Sequence, residues 1–435
     1  MASVAGEDHR AHSHHGRHRS AREAARASGM PGRAAGLFAG IGVLAWLGWQ
    51  ILGNTIADTQ RAVPDVSLRW RPDDAAVLVA LATSELSSAA DERDLTRISG
   101  LARDALRANP LEEGALRVLA LSAERAGRRE QARALMQLAA ARSSHDTEAL
   151  LWLFNDSVRR DDAIGALSYL DPILRTRPQL RQAFAGALAS FANVASARPA
   201  LVALLGRDPP WRGWALAEIA KASDPAVTNA VLSSLAATAA PPRGVELRPF
   251  LDRLIAEGRY ELAFMTWLSF LSADVSRTVP FVFNGDFELP PSGLPFDWQV
   301  APIKGATTEV VDTTDKGHGH VLQVVFGDTR VPYRQVSKLL VLPPGPYVLS
   351  GEVEVDRLVN ERGVVWRITC AEGTRSVLAT SEPVAGTSSW HPFAVDFAVP
   401  PTGCRAQWLR LQLAARFAID EQVSGTVRYD NLSIR

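Results

Sequence analysis

Residues 406–413, AQWLRLQL, place three side chains suited to sugar recognition on one strand face. Side chains alternate along a strand, so if Leu409, Leu411 and Leu413 face a core, then Trp408, Arg410 and Gln412 share the other side. An indole offers a flat apolar surface to a pyranose ring, while a guanidinium and an amide are planar groups able to hydrogen-bond hydroxyls. Trp366 in VVWRITC falls in phase with Val364, Ile368 and Cys370 and reads as core. Cys370 and Cys404 are the only cysteines, separated by one further strand signal, PFAVDFAV. In an oxidising compartment they would form a disulfide; the alternative is two buried thiols.

Histidines offer less. His9, His12, His14, His15 and His18 lie in a polar, aperiodic tail, where imidazoles could bind a transition metal, but no thiol or carboxylate pattern defines a geometry. His318 and His320 sit in a GHGH turn beside Lys316 without a third ligand. No GxSxG elbow, Walker loop, HExxH pair or CxxC occurs, so the expectation is a non-enzyme. A paired-carboxylate glycosidase is the one enzymatic alternative, because its separation of about 5–10 Å leaves no trace in sequence.

The elements that must carry these residues are strands. From residue 278 the apolar period is 2: YVLSGEVEVD puts Tyr347, Leu349, Val353 and Val355 on one face and Ser350, Glu352, Glu354 and Asp356 on the other. VVWRITC, PFAVDFAVP and QWLRLQL alternate likewise between the turn signals PPG, AEG and PPTG. Antiparallel strands with one buried face each, over a segment of this length, predict a two-sheet jelly roll across 278–435.

The ends of that segment carry a family resemblance. It opens with FVFNGDFE and PFDW, continues through HVLQVVF, GPYVLSGEVEV and SSWHPFAVDFAVP, and closes with SGTVRYDNLSIR. This ordered set resembles the galactose-binding-like jelly rolls, particularly carbohydrate-binding modules of the xylanase and cellulase accessory type. The resemblance implies that the opening and closing strands pair and that Trp298 packs structurally. It also implies a structural calcium near the paired ends, with carboxylate oxygens from Glu288 and Asp430 and with Asp286 beside them. No other cofactor is required by any motif.

Upstream, 57–277 reads as helices. Leu95, Ile98, Leu101, Ala102, Ala105 and Leu106 fall at 3- and 4-residue steps. Pro110 and Pro178 are two 34-residue periods apart, and Ala132 and Ala166 one period apart. LARDALRANP followed by GALRVLALSAERAGRREQARALMQLA resembles the tetratricopeptide repeat, with Ala120 packing on Ala132 across a turn at Gly127. In LDRLIAEGRYELAFMTWLSFL, Gly258 and Ala263 keep the same offset. The resemblance implies a short α-solenoid whose first helices, bearing residues such as Arg117 and Glu124, face a protein partner.

Residues 34–56 contain no charge between Arg33 and Asp58, long enough for one transmembrane helix. Arg17, Arg19, Arg22, Arg26 and Arg33 lie before it, whereas acids interleave with Arg61, Arg69 and Arg71 after it. The positive-inside rule predicts a cytoplasmic tail over 1–33 and a periplasmic or other extracytoplasmic bulk at the inner membrane; a cleaved signal peptide is the rival.

Composition agrees with this division. Forty-seven basic residues balance 47 acidic ones in a chain of 435, which excludes a basic nucleic-acid binder, and 47% apolar content supplies material for more than one core. The expected fold class is multidomain, α then β: a transmembrane helix, an α-solenoid and an antiparallel sandwich. The expected function is a membrane-anchored scaffold binding a protein partner through its helices and a glycan or envelope component through its sandwich, in surface-polysaccharide assembly or export. A glycan receptor proper is the alternative.

Overall fold

A computed structural model describes residues 73–143, 145–272, 279–315, 317–373 and 375–435. The predicted tail 1–33 and transmembrane segment 34–56 lie outside them. Among the described residues no single helix is long and apolar enough to cross a membrane. The chain divides into two compact units, Met1–Ser143 and Ser144–Arg435.

The described part of the first unit is helical: α1 (Ala75–Ser88), α2 (Glu92–Ala108), α3 (Glu113–Arg125) and α4 (Arg129–Arg142). Aspartates start two of these helices, Asp74 accepting from the amides of Ala76 and Val77 and Asp91 from those of Arg93 and Asp94. Each cap satisfies donors that have no partner within the helix. Ile98, Ala102 and Ala105 are fully buried, with Leu95, Leu101 and Leu106 packed at their margin. Gly114 lets α3 approach α1, since a Cβ there would lie 2.6 Å from Val79 Cγ1.

Gly127 ends α3 in the left-handed region at φ 75°. The Arg128 amide reaches back to Ala123 O and the Gly127 amide to Glu124 O, so orphan carbonyls at the helix end are satisfied. The same turn recurs at Gly258, at φ 70°, with Arg259 bonded to Leu254 O. The alanines five residues after these glycines, Ala132 and Ala263, are both fully buried.

The second unit holds further helices and the sandwich. The helices are α5 (Thr147–Arg159), α6 (Ala163–Thr176), α7 (Arg181–Asn193), α8 (Arg198–Leu205), α9 (Arg212–Ala222), α10 (Pro225–Ala236), α11 (Gly244–Ala256) and α12 (Tyr260–Ser269). Arg212 and Glu246 form an ion pair at 2.6 Å in which both side chains are at least 98% buried. Arg212 also donates to Ala240 O and Pro241 O, each at 2.9 Å. Burial alone would raise the Glu246 carboxyl, but hydrogen bonds from Arg212 and Arg243 outweigh it and hold it below the ordinary range.

The strands β1 (Gln299–Val300), β2 (Ala306–Asp312), β3 (His320–Arg330), β4 (Val336–Leu340), β5 (Gly345–Val359), β6 (Val364–Cys370), β7 (Val377–Thr380), β8 (Gly386–Val399), β9 (Gln407–Leu413) and β10 (Gln422–Ile434) form two antiparallel sheets. Their orders are β1-β4-β9-β6-β7 and β2-β3-β10-β5-β8. Between them lies a core built on Trp298, Trp366, Phe287, Tyr429 and alternate residues of the long strands. In β5, Leu349, Val353 and Val355 are buried while Ser350, Glu352 and Glu354 are partly exposed, as period-2 patterning requires. The α12 helix packs on this unit's loops through Trp267, whose ring is 5.3 Å from Phe283 and 5.7 Å from Phe296.

Opening and closing segments meet as the sequence motifs imply. The Leu432 amide donates to Gly285 O at 2.8 Å, and a Cβ on Gly285 would lie 1.9 Å from Leu432 O, so only glycine fits. Asn284 and Phe287 both take positive φ, at 53°. The Asn284 side-chain amide offsets this by bonding Leu289 through both its nitrogen and its oxygen, and the Asn284 backbone carbonyl accepts from Trp298 Nε1 at 2.6 Å.

Candidate functional site

Strand β9 lies at the middle of its sheet, between β4 and β6, so pairing on both sides fixes which way its residues face. Leu409, Leu411 and Leu413 enter the core, and Trp408, Arg410 and Gln412 lie half-buried on the outer face. Register then adds residues from other strands to that face. Gln299 stands opposite Ser337, Ser337 opposite Arg410, Arg410 opposite Arg367, and Arg367 opposite Thr380. One row of polar side chains therefore crosses all five strands, about 19 Å at ~4.8 Å per strand.

Beside this row is a cleft of about 450 Å³ lined by Arg334, Gln335, Arg375, Arg410 and Gln412. Trp408 does not line it. The Arg410 guanidinium instead lies over the Trp408 ring, 4.8 Å from its centre, which is within cation–π range. The indole thus supports an arginine rather than leaving that ring face open to a sugar. Burial, together with the like charges of Arg375 and Arg334, lowers the Arg410 pKa from the usual guanidinium value; its partial desolvation strengthens any hydrogen bond it makes.

Arg334, Gln335, Arg367 and Arg375 were not singled out by sequence. Arg367 shares strand phase with the half-buried Thr369, so alternation carried that signal. Arg334 and Gln335 precede β4, and Arg375 occupies the β6–β7 turn in the left-handed region at φ 51°; no periodicity marks them.

Glu288, Asp286 and Asp430 occupy the paired ends of the sandwich but not a metal cage. Among the described residues no group of three His, Cys, Asp or Glu side chains is placed to hold a metal ion. Glu288 accepts from the His320 amide at 3.0 Å and pairs with His320 Nδ1 at 2.9 Å. Asp430 is bonded to His318 Nδ1 at 2.7 Å and accepts from the Asn431 amide, while Asp286 is exposed. Carboxylates held by imidazoles do not form the oxygen shell that calcium takes, so the calcium reading does not fit here. The GHGH turn is what occupies that place. His318 stacks on Trp390 with ring centres 4.0 Å apart, and Trp390 Nε1 donates to Asp315 at 3.1 Å. Burial raises the Asp430 pKa even though the His318 hydrogen bond opposes it.

Cys370 and Cys404 are disulfide-bonded, with Cα atoms 5.1 Å apart. The bond ties the end of β6 to the segment leading into β9, the two strands that carry Arg367 and Arg410.

No protein-family model and no curated protein matches this chain. Solved structures match about a third of this chain. A CBM4 structure is 14% identical and covers 35% of this chain and 97% of its own, at a TM-score of 0.27. A sugar-binding protein from Bacteroides thetaiotaomicron is 9% identical, covering 36% and 99% at a TM-score of 0.28. A CBM22-1 xylan-binding domain from Paenibacillus barcinonensis is 15% identical, covering 32% and 84% at 0.22. At these values the ligands of those proteins say nothing about what this chain binds.

Proposed function

We propose that this chain is a non-catalytic glycan-binding protein whose sandwich holds a polysaccharide on the outer face of β4, β9 and β6. The observation that carries the reading is the polar row through Arg410 and the adjoining cleft of about 450 Å³. It is a concave surface with convergent planar donors on a rigid sheet. The charge-free segment 34–56 supports anchoring at the inner membrane with the bulk of the chain outside the cytoplasm. The Cys370–Cys404 disulfide supports the same compartment. Placement in surface-polysaccharide assembly or export joins these features.

The helices supply the scaffold half of the proposal. An apolar hollow of about 590 Å³ is lined by Phe154, Val158, Phe191 and Val194 among others, and Val158 and Val194 are 46% and 50% exposed. Apolar surface of this kind suits a protein segment.

The test is retention of the full-length protein, in detergent, on a panel of immobilised polysaccharides, compared with Trp408→Ala. Losing the cation–π support of Arg410 should weaken retention about tenfold, from about 1–2 kcal/mol of lost support. Failure of the wild type to bind any polysaccharide, or identical retention of the variant, rejects the reading.

A further inference from the structure

Building on the glycan-binding reading above, we infer that the ligand is an anionic polysaccharide, its oxyanion substituents held by Arg410, Arg375 and Arg334.

The first ground is charge. Elsewhere in the sandwich four arginines are paired with acids, Arg405 with Glu372, Arg428 with Glu354, Arg357 with Asp356 and Arg362 with Asp420, while among the described residues Arg330, Arg416 and Arg435 make no ion pair. Among the described residues, Arg334, Arg367, Arg375 and Arg410 make no ion pair either, and all four belong to the outer face of one sheet or its bordering turns. In a chain whose charges balance at 47 against 47, that is local segregation.

The second ground is that the arrangement costs stability. Arg375 and Arg334 line the same cleft as Arg410 and bring like charge onto it, whereas Arg367, opposite Arg410 on β6, donates from its Nε to Thr380. Arg410 is half-buried as well, which removes solvent that would screen it. Folding alone would favour a carboxylate or a neutral residue at one of these positions. An arriving anion relieves both the repulsion and the desolvation.

The third ground is hydrogen-bond polarity. A sugar hydroxyl both donates and accepts, so a site for neutral sugars offers both kinds of partner. Each guanidinium has five donors and no acceptor. Among the described residues, the side-chain acceptors lining the cleft belong to Gln335 and Gln412, and Gln335 Oε1 already accepts one hydrogen bond, from the Arg334 amide at 2.6 Å. A surface this rich in donors matches carboxylate or sulfate oxygens, which only accept, and a guanidinium fork grips a planar carboxylate bidentately.

The experiment measures the affinity of the full-length protein, in detergent at about physiological salt, for four polymers. These are polygalacturonate, the same polymer after carboxyl reduction, dextran sulfate, and a neutral xylan. Arg410→Gln and Arg375→Gln are measured alongside, with near-UV circular dichroism to verify folding. The expected result is binding to an anionic polymer that weakens at least tenfold in each variant. Polygalacturonate binding lost on carboxyl reduction identifies carboxylate as the substituent, and selective dextran sulfate binding identifies sulfate. Equal binding of neutral and anionic polymers, or affinity for the polyanions that both variants retain, overturns this inference while leaving glycan binding intact. No binding to any of the four by the wild type overturns it too, and retention on the wider polysaccharide panel then decides whether glycan binding itself survives. If a variant misfolds, the carboxyl-reduced polymer alone decides the matter with the wild-type protein.

Discussion

Lys338 is the most testable residue in the sandwich. It lies on the inner face of β4, opposite Leu409 and 1% exposed. Its ammonium donates to Phe283 O at 2.7 Å, sits 4.6 Å from the centre of the Trp298 ring, and is 4.0 Å from Asp297. Burial brings its pKa down from 10.5 to about 7, Asp297 opposing the shift. At about 1.4 kcal/mol per pKa unit, the charged form is disfavoured in the fold by about 5 kcal/mol. A base whose folded pKa is depressed binds fewer protons folded than unfolded, so stability rises with pH between the two values. The burden is full below about pH 7 and gone above 10.5. Between about pH 7 and about pH 9 the linkage relation returns about 2 kcal/mol.

Lys338→Met removes this dependence and leaves Phe283 O unpartnered, a constant cost of about 1–3 kcal/mol. The variant should therefore gain on the wild type at neutral pH and lose about 2 kcal/mol of that advantage by about pH 9. Urea unfolding of the full-length chain, followed by tryptophan emission, measures the gap; the transition that shifts on reducing the disulfide is the sandwich's. A gap that does not change with pH, or that widens in the variant's favour on the alkaline side, refutes the reasoning.

Two further outcomes follow from the charged pairs. Glu246→Leu should destabilise the helical part of the second unit by about 3–5 kcal/mol, because Arg212 is left charged and buried; combining it with Arg212→Met should recover most of the loss in thermal unfolding. In the Glu288–His320 pair, the hydrogen bond to Glu288 raises His320 above its ordinary 6.5 and the bonds from His320 lower Glu288 below 4.5. The pair's contribution is therefore present in full between those ordinary values. It fades as pH rises through the folded His320 value and as it falls through that of Glu288. Titration of His320 by NMR should show the raised value, and Glu288→Gln should return it toward 6.5.

Much of this was legible in sequence because strand alternation is local. The phase of AQWLRLQL gave the outward set Trp408, Arg410 and Gln412, and that of VVWRITC gave Trp366 as core, 1% exposed in the structure. The glycine-terminated turns at Gly127 and Gly258 were likewise marked by a single residue type whose φ freedom the turn demands. The calcium expectation at Glu288, Asp286 and Asp430 did not carry through. Carboxylates along a chain do not reveal which donors folding brings to them, and here His318 and His320 arrive first.

Sequence by itself thus determined which elements form and which face of each is apolar, since both depend on neighbours within a few residues. Only tertiary structure decided the site. Arg334, Arg367, Arg375 and Arg410 come from a loop, a turn and two strands far apart in the chain. Their gathering depends on strand order and register, which are set by the best burial of the whole core rather than by any local pattern. Lys338 makes the same point from inside. Its phase in VSKLL sends it inward with Val336 and Leu340, but that it would meet Phe283 O and the Trp298 ring there was fixed only when the sheets closed.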